Sequence, residues 1–522
     1  MHLSFRAFIF MEEKIQDKTS SSTRRIAKNT LMLYFRQILI MVVSLCTVRV
    51  VLNTLGAEDY GIYNVVAGVV VLFSFVNNAM ATATQRFLNF NLGKNDTEKT
   101  QQTYSASLLI HIGIAFIFVF LAETIGLWFV NSKLNVPVER HGAAMWCYQF
   151  SIITTVFNIL RVPYNAVIIA YEKMSFFARV SIVEAVLKLL VVYLLIISPL
   201  DKLVAYVILL AFVSVIILFC YKIYCNKKFE ITYYKRIRDI SLIKEILGFS
   251  GWSLFGATAN VANQQGTNIV LNMFTNVTVN AAMGIANQVN SAVYSFVSNF
   301  QTAFNPQLVK SYAAGKRGEF TALVIQSAKF SFYLLWLIVL PLYLNCELIL
   351  TLWLKDVPDY TVGFVRLILM YSLVESINGP LYIAIQATGK IKFYQIIVGL
   401  INLSNLPLII VAFCFGASPL WIMYIRIALN VIALFFRLFL VKKYTCFTVL
   451  NFVKKGIVLP VIITFLSVMF TNMISNHFNQ NIYFWVSCSS SLLCTLTLIY
   501  LIGFSKNERV FLLKKLREGI KK

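Results

Sequence analysis

The sequence predicts an all-α polytopic membrane protein of about fourteen transmembrane helices. Three observations predict it: a composition too apolar for water, a series of separable apolar blocks, and an alternation of basic residues between those blocks. The 522 residues are 59% hydrophobic and only 13% charged, which leaves too little polar surface to coat a water-soluble globule. Lipid is therefore the solvent for most of the chain. The formal charge of +24 does not point to a nucleic-acid partner in this setting, because the excess Lys and Arg of a membrane protein gathers in short cytoplasmic loops and meets anionic head groups.

The apolar blocks lie near 31–52, 62–85, 104–130, 142–165, 176–198 and 203–221, and resume near 246–272, 281–304, 325–345, 362–386, 393–415, 419–440, 456–474 and 482–503. Basic residues separate to alternate sides of these blocks. One side receives Arg24, Arg25 and Lys28, Lys94 and Lys99, Lys173 and Arg179, Lys222 to Lys244, Lys316 and Arg317, Lys390 and Lys392, Lys442 to Lys455 and the tail from Lys506. The other receives only Lys133, Arg140, Lys202 and Lys355, so the rich side is cytoplasmic and holds both termini. The segment Leu3–Phe10 is too short to span and lacks a signal-peptide cleavage pattern.

A shift of about 220 residues brings the two halves into register. Gly61-Ile62-Tyr63-Asn64 falls on Gly284-Ile285-Ala286-Asn287, and Asn77, Gln85 and Gly93-Lys94 fall on Asn299, Gln307 and Gly315-Lys316. Leu127-Trp128 meets Leu352-Trp353, and Pro163, Ala170, Lys173 and Phe176 meet Pro380, Ala387, Lys390 and Phe393. The organisation expected is a tail at 1–28, a six-helix repeat at 29–221, a basic linker at 222–245, a second repeat at 246–441, two further helices at 442–505 and a basic tail at 506–522. An even number of helices gives both repeats the same orientation, an architecture of transporters with the substrate path between halves.

Polar stripes identify the residues expected to line that path, since side chains facing lipid are apolar. Asn287, Ser291, Ser298 and Asn305 fall on one face of the eighth block, Asn260, Gln264 and Asn268 on one face of the seventh, and Asn64, Asn78 and Gln85 mark the second. Interhelical hydrogen bonding explains a single amide equally well, but three stripes on repeat-related helices favour a wet cleft suited to a sugar chain. Charge within the spans is costlier, about 2.5–3.5 kcal/mol per Arg at mid-helix. Arg36 and Arg86 sit near cytoplasmic boundaries and can snorkel, whereas Arg49 and Arg161 lie within apolar runs. Such Arg forks match the oxygens of a diphosphate head group. Glu184 and Lys188 are spaced to pair with each other, and Glu375, alone in the tenth block, can meet Arg426 or take part in ion coupling.

Enzymatic chemistry has no footing in the pattern. Gly315-Lys316 and Gly389-Lys390 lack the glycine-rich spacing of a nucleotide-binding loop, and no loop is long enough for a catalytic domain. The nine cysteines form no CxxC pair and the four histidines are scattered, so neither a metal, a disulfide framework nor a cofactor is expected. The basic linker is expected to lie on anionic lipid.

The stretch Leu55-Gly56-Ala57-Glu58-Asp59-Tyr60-Gly61-Ile62-Tyr63, the helix end Gln85-Arg86-Phe87 and the following Leu92-Gly93-Lys94 resemble the polysaccharide-transport branch of the multidrug/oligosaccharidyl-lipid/polysaccharide (MOP) exporter superfamily. Trp128, Trp353 and the six-plus-six-plus-two layout resemble it as well, across nearly the whole chain. The resemblance implies a MATE/MOP-like fold in the bacterial cytoplasmic membrane. It also implies a flippase for undecaprenyl-diphosphate-linked O-antigen or capsule units, working by alternating access beside a polysaccharide polymerase and glycosyltransferases. Two alternatives within the superfamily are a cation-coupled multidrug exporter, whose members share an acidic residue in helix 1 or 7 that this chain lacks, and a flippase for the peptidoglycan precursor lipid II, whose cleft has Arg on helix 8 where this chain has only Lys310.

Cysteines placed at Ala57, Asn276 and Asn479 are expected to react with impermeant thiol reagents from outside, and cysteines at Asn95, Lys235 and Lys316 are not. Reversal at two of these sites overturns the topology.

Overall fold

The computed structural model describes residues 29–510, apart from 45–46, 48–49, 52–53, 57–58, 64–65, 67–73, 134–136, 200, 238–239, 276, 355, 446, 476, 478–479 and 506–507. It is all-α. The main helices are α1 (Asn29–Ser44), α2 (Ser74–Gly93), α3 (Thr97–Ser132), α4 (Val138–Ala170), α5 (Met174–Ile197), α6 (Lys202–Lys228) and α7 (Ile240–Phe274). They are followed by α8 (Val277–Ala313), α9 (Arg317–Leu344), α10 (Thr361–Thr388), α11 (Lys392–Cys414), α12 (Trp421–Tyr444), α13 (Val449–Ser475) and α14 (Ile482–Gly503).

Ten of these, α3–α6 and α9–α14, are long and apolar enough to cross a membrane. The expectation of about fourteen spans thus reduces to ten on this measure, for physical reasons. Described residues of α1 form too short a run, and α2, α7 and α8 carry the Asn, Gln and Ser stripes that lower their hydropathy. The chain divides into two compact units, Asn29–Thr258 and the chain from Ala259 onward, with the boundary inside α7 rather than within 222–245.

Left-handed φ recurs in turns of both halves. Asn95 (57°) after α2 and Gly315 (73°) after α8 take it, two positions out of the register that sets Gly93 on Gly315. Glu172 and Gly389, 217 apart, do so after α4 and α10 (57° and 78°), and each of those helices contains the matching proline, Pro163 or Pro380.

In the first unit α4 packs on α2, α3 and α6. Tyr148 Oη donates to Ala122 O at 2.6 Å where α3 widens into a π turn, and a Cβ on Gly126 would displace that hydroxyl. On the face expected outside, Arg140 donates from Nε and Nη2 to both carboxylate oxygens of Asp59, at 2.8 and 2.5 Å, and from Nη1 to Asp201 at 2.5 Å. Asp201 also caps α6 through the amides of Leu203 and Val204. Burial raises the Asp201 pKa, but Arg140 and these amides outweigh it and hold the carboxyl below its ordinary value. The 222–245 stretch is docked rather than free. It completes α6, and then Tyr233 O accepts from Gln101 at 3.0 Å, Lys235 N donates to Ser105 Oγ at 3.0 Å, and Lys235 Nζ pairs with Glu98 at 2.9 Å.

In the second unit α10 is the central helix, packed on α8, α9 and α12. Gln301 of α8 donates to Ser376 O at 3.1 Å and Ser331 Oγ at 3.2 Å, crossing α10 where Gly379 leaves room. The α13–α14 hairpin is fastened to α9 at three levels. Trp336 Nε1 donates to Ser467 Oγ (2.8 Å), Ser487 Oγ donates to Asn345 Oδ1 (3.0 Å), and Lys329 Nζ, 7% exposed, pairs with Glu508 at 2.8 Å and donates to Gly503 O at 3.2 Å.

Because the Lys329 ammonium is buried, Glu508→Gln leaves it without a counter-charge and is expected to cost about 3–5 kcal/mol. Joint replacement by Lys329→Met and Glu508→Leu is expected to restore most of that stability, as read by unfolding in detergent. An Glu508→Gln protein as stable as the parent removes the pair from the account of the fold.

Candidate functional site

The first unit gathers charge about Tyr221. Arg161 Nη1 donates to Glu184 Oε2 at 2.8 Å, and Lys188 Nζ donates to Glu184 Oε1 at 2.8 Å. The expected Glu184–Lys188 pair is therefore present, with Arg161 as a second cation on the same carboxylate. The Arg161 guanidinium lies 5.7 Å from the Tyr221 ring centre, and Tyr221 is within electrostatic reach of Arg36, Arg161 and Glu184. Arg36 stands over the Phe177 ring at 4.7 Å. At 1.5 Å per residue, Arg36, Arg161, Glu184 and Tyr221 all lie roughly 10–15 Å from the basic ends of their helices, one level of the membrane. The three charged groups of the triad are between 20% and 45% exposed, so the cluster is reachable.

Arg86 is placed elsewhere. It is buried, with the Phe87, Phe90 and Phe249 rings at 4.5, 4.8 and 5.6 Å from its guanidinium carbon. Aromatic faces surround this charge, so it does not reach out to a head group by snorkelling. Arg49 and Asn64 lie outside the described residues, as does the side chain of Asn78; Gln85 is half-buried.

In the second unit the stripes divide between exposure and pairing. On α8, Ser291 and Ser298 are exposed, Asn287 and Asn305 half-buried, while Val293 and Val297 on the opposite face are buried. On α7, Asn260 and Gln264 are exposed and Asn268 half-buried. Asn260 Oδ1 nevertheless accepts from Asn402 Nδ2 at 2.8 Å, and its neighbour Asn263 accepts from Asn405 at 2.8 Å, so α7 also uses amides to hold α11.

Glu375 does not form an ion pair with Arg426, whose guanidinium instead lies 4.4 Å from the Tyr371 ring centre. It lies within electrostatic reach of Arg437, Tyr294, Tyr371 and Tyr394. Arg437 is the residue that the sequence reading passed over. It is 7% exposed, its Nε donates to Tyr394 Oη at 3.0 Å, and its Nη1 has no hydrogen-bond partner among the described residues. Its position five residues before Lys442 made it look like part of the basic helix end. Nearby, Tyr382 stacks on Tyr394 at 5.1 Å, and Asn378 Nδ2 donates to Asn430 Oδ1 at 2.7 Å. The arrangement places a half-buried carboxylate, Glu375, in the field of a buried arginine. Among the described residues no three His, Cys, Asp or Glu side chains gather as a metal would need.

The family model described as polysaccharide biosynthesis protein matches residues 26–312, and the model described as MatE matches 267–411. No curated protein matches the chain in sequence. Among solved structures, a MATE in the straight conformation is similar at TM-score 0.69 and 11% identity, over 81% of this chain and 97% of its own. An outward-facing multidrug resistance MATE family transporter of the MOP superfamily is similar at TM-score 0.68 and 11% identity, over 80% and 96%. So is a MOP superfamily transporter from Pyrococcus furiosus, described by the reverse polarity of its binding pocket, at TM-score 0.66 and 11% identity, over 80% and 96%.

If the exposed hydroxyl face of α8 borders water, cysteines at Ser291 and Ser298 are expected to react with small aqueous thiol reagents in membranes while cysteines at Val293 and Val297 resist. Equal reactivity of the two faces overturns this assignment.

Proposed function

The chain belongs to the polysaccharide biosynthesis protein family and is a membrane transporter of the MOP superfamily, and from that premise we propose that its cargo is a lipid-linked oligosaccharide. The glycan is carried on undecaprenyl diphosphate across the bacterial cytoplasmic membrane by alternating access, for O-antigen, capsule or related surface polysaccharide. The observation that supports this reading is the exposure of uncharged amides and hydroxyls, Asn260, Gln264, Ser291 and Ser298, along α7 and α8. Such groups have no favourable contact with lipid tails, but they match sugar hydroxyls as donors and acceptors. The Arg36 and Arg161 level supports the diphosphate end of the same cargo, and Arg49, placed from sequence alone, adds a third cation in an apolar run. Membrane lipid, a polymerase and glycosyltransferases are the partners this reading implies.

A second reading has its own observations. The MatE match over 267–411 and the MATE folds favour a cation-coupled multidrug exporter, with Glu375 beside Arg437 as the coupling group. The two readings diverge on Arg161. A guanidinium that grips phosphate oxygens is poorly replaced by the point charge of Lys, whereas a charge that only orients its helix is replaced with little loss. Arg161→Lys, and likewise Arg49→Lys, is expected to weaken lipid-linked glycan export by about tenfold to a hundredfold at normal abundance. Arg36→Lys is expected to be mild. Loss of drug efflux in a Glu375→Gln protein with glycan export untouched establishes the exporter instead.

A further inference from the structure

We propose that Glu184 is an internal stand-in for the diphosphate, a carboxylate that neutralises Arg161 and Lys188 while the protein is empty and yields them to the cargo head group. This rests on the lipid-linked reading above and goes beyond it by assigning the exchange to one residue. Glu184 Oε2 accepts from Arg161 Nη1 and Oε1 accepts from Lys188 Nζ, both at 2.8 Å, so each carboxylate oxygen holds one cation. A diphosphate offers the same geometry with more oxygens and more charge, and it satisfies both cations together.

Three features make exchange feasible. The triad sums to one positive charge with Glu184 in place, and Arg36, facing the shared Tyr221, raises the local sum to two. A dianionic head group is therefore attracted even before Glu184 moves. The side chains are partly exposed, at 25% for Arg161, 20% for Glu184 and 45% for Lys188, so an anion reaches them without unfolding a helix. Only Arg161 Nη1 is engaged by Glu184 among the bonds formed, which leaves the other guanidinium edge for a second anion to approach first. A carboxylate already present also solves the return step. Without it, two or three cations facing a released head group would hold it too tightly; Glu184 re-enters as the head group leaves, so the cations are never left bare in an apolar span.

The test uses the full chain in phosphatidylcholine nanodiscs, titrated with farnesyl diphosphate and separately with inorganic pyrophosphate. Glu184→Gln removes the competitor and is expected to bind farnesyl diphosphate about tenfold more tightly than the parent while exporting glycan more slowly. Arg161→Gln is expected to lose binding in either background. Glu184→Asp keeps the charge at shorter reach, and an intermediate affinity from it supports the proposal even where Glu184→Gln fails to accumulate. Equal affinity of parent, Glu184→Gln and Glu184→Asp overturns the exchange while leaving the lipid-linked cargo standing, since the parent then still binds. Binding of pyrophosphate as tight as that of farnesyl diphosphate, with the same response to Glu184→Gln, supports the exchange and overturns the lipid-linked source. Absence of binding in every form overturns both.

Discussion

The cost of an unmet charge or amide in hydrocarbon governs the rest of this structure. Cations within the described helices meet it in different ways. Arg161 has a carboxylate, Arg86 a set of aromatic faces, and Lys329 a carboxylate from beyond the last helix together with a backbone carbonyl. Arg437 is met by one tyrosine hydroxyl and the nearby field of Glu375, and its Nη1 has no hydrogen-bond partner among the described residues. Incompletely met groups are where a transporter has freedom to change partners, so the two places with such freedom, around Arg161 and around Arg437, are also those with the most to say about function.

The two units treat polarity differently. In the first, Arg161, Glu184 and Lys188 cluster, and aromatic pairs are frequent, with Phe176 stacked on Tyr224 and Tyr171 against Phe229. In the second, uncharged pairs stand alongside the Lys329–Glu508 pair, with Ser372 donating to Asn290, Asn378 donating to Asn430 and Gln301 threaded across α10.

Much of this was legible in sequence because lipid makes the rules severe. Ten of the fourteen apolar blocks coincide with helices long and apolar enough to span, and the register that sets Pro163 on Pro380 also brings the left-handed turn residues Glu172 and Gly389 together. What escaped did so for identifiable reasons. Spacing along one helix shows Glu184 and Lys188 as partners, but it carries no information about which neighbouring helix brings Arg161 to the same carboxylate. Arg437 was hidden by proximity to Lys442 and Lys443, since a basic helix end and a buried arginine one or two turns inside it read alike. The α7 amides read as a single stripe, yet Asn260 bonds Asn402 while Gln264, one turn on, is exposed, a distinction set by where α11 crosses.

The Arg140 clamp has an evolutionary consequence. One guanidinium serves Asp59 from the stretch before α2 and Asp201 from the turn before α6, while itself standing at the start of α4. Three segments that are far apart in the chain thus share one electrostatic knot. Exchange of Arg140 for a neutral residue would leave two carboxylates facing each other, and exchange of either carboxylate would unbalance the remaining pair. The electrostatics thus favour change of these three charges together over change of one alone, and a natural variant lacking Arg140 would be expected to have lost the aspartates with it.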